Sequence, residues 1–146
     1  LKKYFEIEKK EKTNSVYRWK DFSKKCITHA KELKKIMDNY KKNQEIKIFG
    51  YGASARSSTL LNFTKINRDY IDFIIDNNKI KQNKYTPGSD IKILPLKSNI
   101  SRIKKYNILL LLAWNFKEEI ISDLKKKNFK GTVIVPLPNK IKKIRI

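Results

Sequence analysis

At 146 residues, with 35 Lys and Arg against 14 Asp and Glu for a formal charge of +21, the chain suits one compact domain with a real core. Cys26 is the only cysteine, which excludes an internal disulfide and a cysteine zinc cluster and fits a reducing compartment. The most apolar run, residues 108–114, is far too short to cross a bilayer, and no signal-peptide pattern opens the sequence, so a cytoplasmic protein with no membrane partner is expected.

The charge needs its own reading. Only five of the 35 basic residues are Arg (Arg18, Arg56, Arg68, Arg102, Arg145); the rest are Lys, in a chain also crowded with Ile and Asn. That mixture matches the codon drift of an AT-rich genome, with Lys decorating solvated faces. The other reading, a basic binder of nucleic acid or another anionic surface, is open on charge alone. The even spread of Lys and the placement of aromatic residues inside apolar runs argue against it.

In chain order, residues 1–14 form a charged segment with three apolar positions, Tyr4, Phe5 and Ile7, and read as a tail or a frayed strand. Residues 15–42 read as a long helix. Trp19, Phe22, Cys26, Ala30, Leu33 and Met37 recur at three- and four-residue spacing, with Ser15 as N-cap. Residues 1–44 thus read as an N-terminal tail and helical lead-in, and residues 45–146 as the domain proper.

That domain opens with an alternating apolar run (Ile46, Ile48), a Gly50-Tyr-Gly52 turn, and a helix through Thr59-Leu-Leu-Asn-Phe63. Residues 69–76 read as a second strand, and the Tyr85-Thr-Pro-Gly88 segment as a turn. A short strand is expected at 91–94, a short helix at 99–105, a fourth strand at 106–113, a helix at 116–127 and a fifth strand at 132–136. The Lys140–Arg145 run reads as a solvated charged tail. Strands alternating with helices predict an α/β fold: an open, mostly parallel sheet of about five strands flanked by helices, preceded by the long N-terminal helix.

Ligands of such sheets settle outside the carboxyl ends of the strands. Three loops leave those ends here, at 50–58, 76–90 and 113–117. The first joins a strand to a helix N-terminus, whose free N–H groups and dipole favour a phosphate. Arg56, Ser57, Ser58 and Thr59 add side-chain donors to the backbone of Gly50, Tyr51, Gly52 and Ala53. The loop lacks the third Gly of a dinucleotide fingerprint and the Gly-Lys-Ser/Thr of a P-loop. Asp76 ends the second strand where a nicotinamide-binding fold places its ribose acid, which keeps a small NAD(P)-binding domain as an alternative. Trp114 and Asn115, directly after the fourth strand, can stack on a ring and read hydroxyls or a base edge. His29 and Cys26 together offer too few ligands for a metal, so His29 reads as structural or solvent-facing.

Taken together, Gly50-Tyr-Gly-Ala-Ser-Ala-Arg-Ser-Ser-Thr-Leu-Leu-Asn62, Phe73-Ile-Ile-Asp76, Lys81-Gln-Asn-Lys-Tyr-Thr-Pro-Gly88, Leu111-Leu-Ala-Trp-Asn-Phe116 and Val133-Ile-Val-Pro136 resemble the C-terminal domain of S-adenosylmethionine-dependent C-methyltransferases acting on nucleotide-linked deoxysugars. The resemblance covers about residues 46–138. The usual wording of the first motif is Gly-Tyr-Gly-Ala-Pro-Ala-Lys-Gly-Asn-Thr; this chain departs with Ser54 for Pro, Arg56 for Lys, Ser57 for Gly and Ser58 for Asn. Losing the Gly at 57 narrows the backbone's freedom where a diphosphate would approach.

The resemblance implies a Rossmann-like domain that helps bind a nucleotide-activated deoxysugar. It implies that S-adenosylmethionine and the acid/base residues belong to a methyltransferase domain, in cis or in trans, rather than to this chain. On that reading no catalytic or metal-binding residue is expected here. The first residue is Leu rather than Met, which leaves room for an upstream segment. Residues carried over from the family are Gly50, Tyr51, Gly52, Ala53, Arg56, Thr59, Trp114 and Asn115.

Overall fold

The computed structural model describes residues 1–13 and 15–146. Two helices, α1 (Lys2–Lys10) and α2 (Val16–Lys41), lead into β1 (Ile48–Tyr51) and α3 (Ala55–Thr64). There follow β2 (Ile74–Ile75), β3 (Ile93–Leu94), α4 (Ile100–Ile103), β4 (Ile108–Leu111), α5 (Lys117–Lys126), β5 (Thr132–Val135) and β6 (Lys142–Arg145). The sheet order is β3-β2-β1-β4-β5-β6, parallel except for the antiparallel β5–β6 pair. The chain steps outward from β1 through β2 to β3 and then returns to the other side of β1. The fold is therefore Rossmann-like, and the reversal leaves a crevice at the carboxyl ends of β1 and β4.

Both sheet faces are covered, which is why the strands read as continuous apolar runs. Side chains alternate across the sheet. Phe49, Tyr51, Leu109, Leu111, Val133 and Val135 join the core under α4 and α5. Ile48, Ile74, Ile108, Leu110 and Ile134 join the one under α2 and α3.

Three stretches depart from the sequence reading. Residues 2–10 are helical, not a strand or tail, yet α1 buries nothing. Of the expected strand at 69–76 only Ile74–Ile75 pairs as strand, because Tyr70 and Ile71 donate their N–H groups back to the Asn67 carbonyl (3.0 and 3.2 Å) and hold a turn. Residues 142–145 are not a loose tail but the edge strand β6. Ile144 and Ile146 pack on the core while Lys142, Lys143 and Arg145 face out, and such charges protect a sheet edge from further pairing.

The helix expected over 15–42 forms as α2, with Ser15 at its N-cap but without a side-chain capping bond. Its apolar stripe is buried only in its second half, at Ala30, Leu33 and Met37; Trp19 and Phe22 are exposed.

Where α2 meets the sheet, Lys34 donates to Asp38 (2.6 Å) and to the Tyr70 hydroxyl, which in turn donates to Asp38 (2.8 Å). The Lys34 bond holds the Asp38 carboxyl below its ordinary 3.8. Burial opposes the Lys34 ammonium, and the bonds to Asp38 and Tyr70 overcome it, so Lys34 titrates above 10.5. A depressed carboxyl contributes stability that is present above pH 3.8 and is lost as pH falls through its folded value; a raised ammonium contributes stability that is present below 10.5 and is lost above it. Asp38→Asn should therefore flatten the loss of stability below pH 3.8 in acid titrations followed by circular dichroism. The effect should be modest, since the Asp38 side chain is 43% exposed and water screens the pair.

Candidate functional site

The crevice is built outward from β1. Gly50 and Tyr51 are strand residues rather than turn residues, both buried. A Cβ on Gly50 would lie 2.8 Å from the Ile74 Cγ1 and 3.2 Å from the Leu112 Cδ1, so its role is packing. The Tyr51 phenol is pushed above its usual range, chiefly by burial, and its oxygen accepts from the Asn77 side-chain amide (3.3 Å). The turn itself falls at Gly52, with φ of +100° and room for no side chain against Ala113. Leu112 and Ala113 both donate their N–H groups to the Tyr51 carbonyl (2.9 Å each), which clamps the β4 exit loop to the β1 exit loop.

Next comes the start of α3. Ser54 is its N-cap: the Ser54 Oγ accepts from the Ser57 N–H (3.2 Å), and the Ser57 Oγ accepts from the Ser54 N–H (2.6 Å). This is a reciprocal capping box with Ser in place of Glu or Gln at its third helical position. Ser57 is fully buried and its hydroxyl also donates to the Ser54 carbonyl (2.6 Å). Its side chain thus serves the helix start, with its hydroxyl engaged by the Ser54 N–H and carbonyl. Ser58 is half-buried, and its carbonyl accepts from Asn62 (2.8 Å). Thr59 is exposed and donates to the Ala55 carbonyl (3.1 Å). Arg56 is exposed at the first turn.

At the end of β2 the Asp76 carboxylate turns inward. It accepts from the Ala53 N–H (2.8 Å) and the Asn78 N–H (2.8 Å), and Lys81 Nζ lies 3.6 Å away while donating to the Ala53 carbonyl (2.7 Å). Both backbone groups of Ala53 are thereby held by residues of the second loop. Asp76 is a loop brace in this geometry; a ribose would have to compete with Ala53 and Lys81 for it. Lys81, which was not singled out as a site residue, belongs to this brace. Its only signal was its place at the start of the Lys81–Gly88 motif.

The rest of that motif is structural. Asn62 of α3 donates to the Pro87 carbonyl (3.0 Å), and a Cβ on Gly88, where φ is +76°, would strike the Asn62 side chain at 2.3 Å. Thr86 is buried against Ser89, Oγ to Oγ 2.7 Å.

Trp114 lines two hollows and Asn115 one of them. The Arg56 guanidinium lies over the Trp114 ring, 5.7 Å from its centroid. With Thr59 these two line a groove of about 1270 Å³ whose far wall is α2, at Trp19 and Phe22. Asn115 is exposed and lines an adjoining hollow of about 400 Å³ together with Trp114, Phe116, Lys117, Glu118 and Glu119. His29 lies on the groove wall, its Nε2 buried without a hydrogen-bond partner among the described residues. No group of three or more His, Cys, Asp or Glu among the described residues is placed to hold a metal ion. Nor, among them, is any helix long and apolar enough to cross a membrane.

Residues 1–138 match the family described as the C-methyltransferase C-terminal domain. The C-methyltransferase NovU of Streptomyces niveus is 37% identical over 94 residues, which cover 62% of this chain and 21% of that protein. The chain thus spans about a fifth of the length of the curated relative it matches. Among solved structures, a UDP-D-quinovosamine 4-dehydrogenase from Vibrio fischeri is similar with a TM-score of 0.48 and 23% identity, over 70% of this chain and 95% of that one.

Proposed function

The chain belongs to the C-methyltransferase C-terminal domain family, and from that premise we propose that it holds the substrate of a sugar C-methyltransferase, a nucleotide-activated deoxysugar. The observation that carries the reading is the meeting of Arg56 and Trp114 at the crevice between β1 and β4, a cation and an aromatic face from two different strand exits. Arg56 would grip the diphosphate through paired hydrogen bonds. Thr59 lines the same groove, and Trp114 would stack on the sugar or base. Asn115, in the adjoining hollow that shares Trp114, would read hydroxyls.

On this reading the methyl donor, S-adenosylmethionine, is held by a methyltransferase domain outside this chain, and the chain alone is not catalytic. The support is local: the carboxylate a donor's ribose would need, Asp76, already accepts from Ala53 and Asn78. A cytoplasmic location belongs to the same reading.

Isothermal titration of the chain with nucleoside diphosphates and sugar nucleotides tests it. Binding should weaken roughly 10- to 100-fold on Arg56→Ala, the loss of one charge-assisted contact, with Trp114→Ala weakening the sugar nucleotide more than the bare diphosphate. Absence of any binding heat, or affinity indifferent to both substitutions, would overturn the proposal.

A further inference from the structure

The groove beside the site has an uncovered wall. α2 is 26 residues long, about 39 Å at 1.5 Å per residue, and its apolar stripe does not stop where the sheet stops. Ala30, Leu33 and Met37 are buried, but the same stripe runs on through Cys26, Phe22 and Trp19, with Trp19 62% and Phe22 57% exposed. Opposite them Phe63 of α3 is 53% exposed. An apolar face of this extent beside a groove marks an interaction surface rather than scattered surface apolarity.

Resting on the function proposed above, we infer that this groove is the seat of the methyltransferase domain, joined in cis upstream of α2. Three observations select that occupant. The relative that carries the full activity in its name is about five times as long as the matched stretch, so a domain of this family has a large neighbour to contact. Arg56, Thr59 and Trp114 line the groove, so whatever fills it also walls the crevice, as a domain bringing a methyl group to a bound sugar must do. The charged residues on the groove are mainly basic, Lys24, Arg56 and Lys140 against Glu32, with Lys25 already paired to Asp21 (2.7 Å). The matching face is an apolar ridge with acidic flanks. A second copy of this chain, itself basic at +21, lacks that complementarity.

Hydrogen–deuterium exchange on the product of the complete reading frame, compared with the 146-residue chain, tests the assignment. Amides of residues 19–30 should exchange at least about tenfold more slowly in the complete product, and Phe22→Ser should abolish that difference. Phe22→Ser should leave the unfolding midpoint of the 146-residue chain unchanged, since Phe22 is exposed. Equal exchange in both forms overturns the inference, as does a reading frame with no methyltransferase domain. So does a chain that dimerises by light scattering with residues 19–30 protected in the dimer. Sugar-nucleotide titration of the chain separates the two failures: binding with an open groove overturns only the docking, and absence of binding overturns the substrate reading itself.

Discussion

Gly52→Ala should destabilise the domain more than any other single-methyl change at the site. The residue sits at φ of +100°, and an added Cβ would stand 2.4 Å from the Ala113 Cβ and 2.9 Å from the Ala113 nitrogen. The left-handed backbone costs an alanine roughly 1–2 kcal/mol, and forcing a methyl into packed atoms costs roughly 1–3 kcal/mol more. Neither obstacle can move cheaply. Ala113 has no flexible side chain, and its N–H is bonded to the Tyr51 carbonyl, so relief must open the junction of β1 and β4. A loss of roughly 2–5 kcal/mol in urea unfolding follows, a large part of the 5–15 kcal/mol typical of a domain. Gly50→Ala provides the contrast: there the nearest atoms, the Cγ1 of Ile74 and the Cδ1 of Leu112, belong to side chains rather than backbone, and φ is not in the left-handed region. If Gly52→Ala lost less than Gly50→Ala, the account of this junction would be wrong.

The sequence made the layered fold legible because continuous apolar strands and a 3.6-residue stripe are signals that only burial on both sheet faces explains. It made the family legible through motifs that the structure shows to be mutually dependent: Gly52 against Ala113, Asn62 against Pro87 and Gly88, Ala53 against Asp76. What it hid was direction. Asp76 at the end of β2 has the right address for a ribose acid, yet spacing cannot tell whether a carboxylate faces a ligand or the loop 23 residues behind it. Ser54 and Ser57, two separate departures from the family wording, are one substitution in physical terms, since each hydroxyl caps the other's N–H. Position 57 is helical and buried, and its side chain fastens the helix start. β6 was hidden by its own charges, which mask the inward Ile144. The Trp19 and Phe22 end of the α2 stripe looked like core by periodicity, and only the structure shows that nothing described here covers it.

Phe49→Ala should unfold the site from beneath. Phe49 is fully buried in β1, with Phe73, Tyr106 and Phe129 at ring-centroid distances of 5.7, 5.7 and 5.4 Å. Truncating a buried Phe costs roughly 3–5 kcal/mol through lost transfer energy and the cavity left behind, and the aromatic pairs add to that. The cavity would open at the centre of the sheet, under the strand that carries Gly50 and Tyr51 and leads into Gly52, and three rings, from the residue before β2, the α4–β4 connection and the α5–β5 connection, would lose their common neighbour. A marginally stable domain would sit near its unfolding midpoint, so heat denaturation should shift down by well over ten degrees, using the several degrees per kcal/mol expected of a domain this size. Phe49→Leu should recover most of that loss, because a large apolar side chain refills the space. Phe22→Ser, exposed on α2, should by contrast leave the melting curve where it was. A core residue and an interface residue that share one chemical type are thus separated by stability alone, before any ligand or partner domain is added.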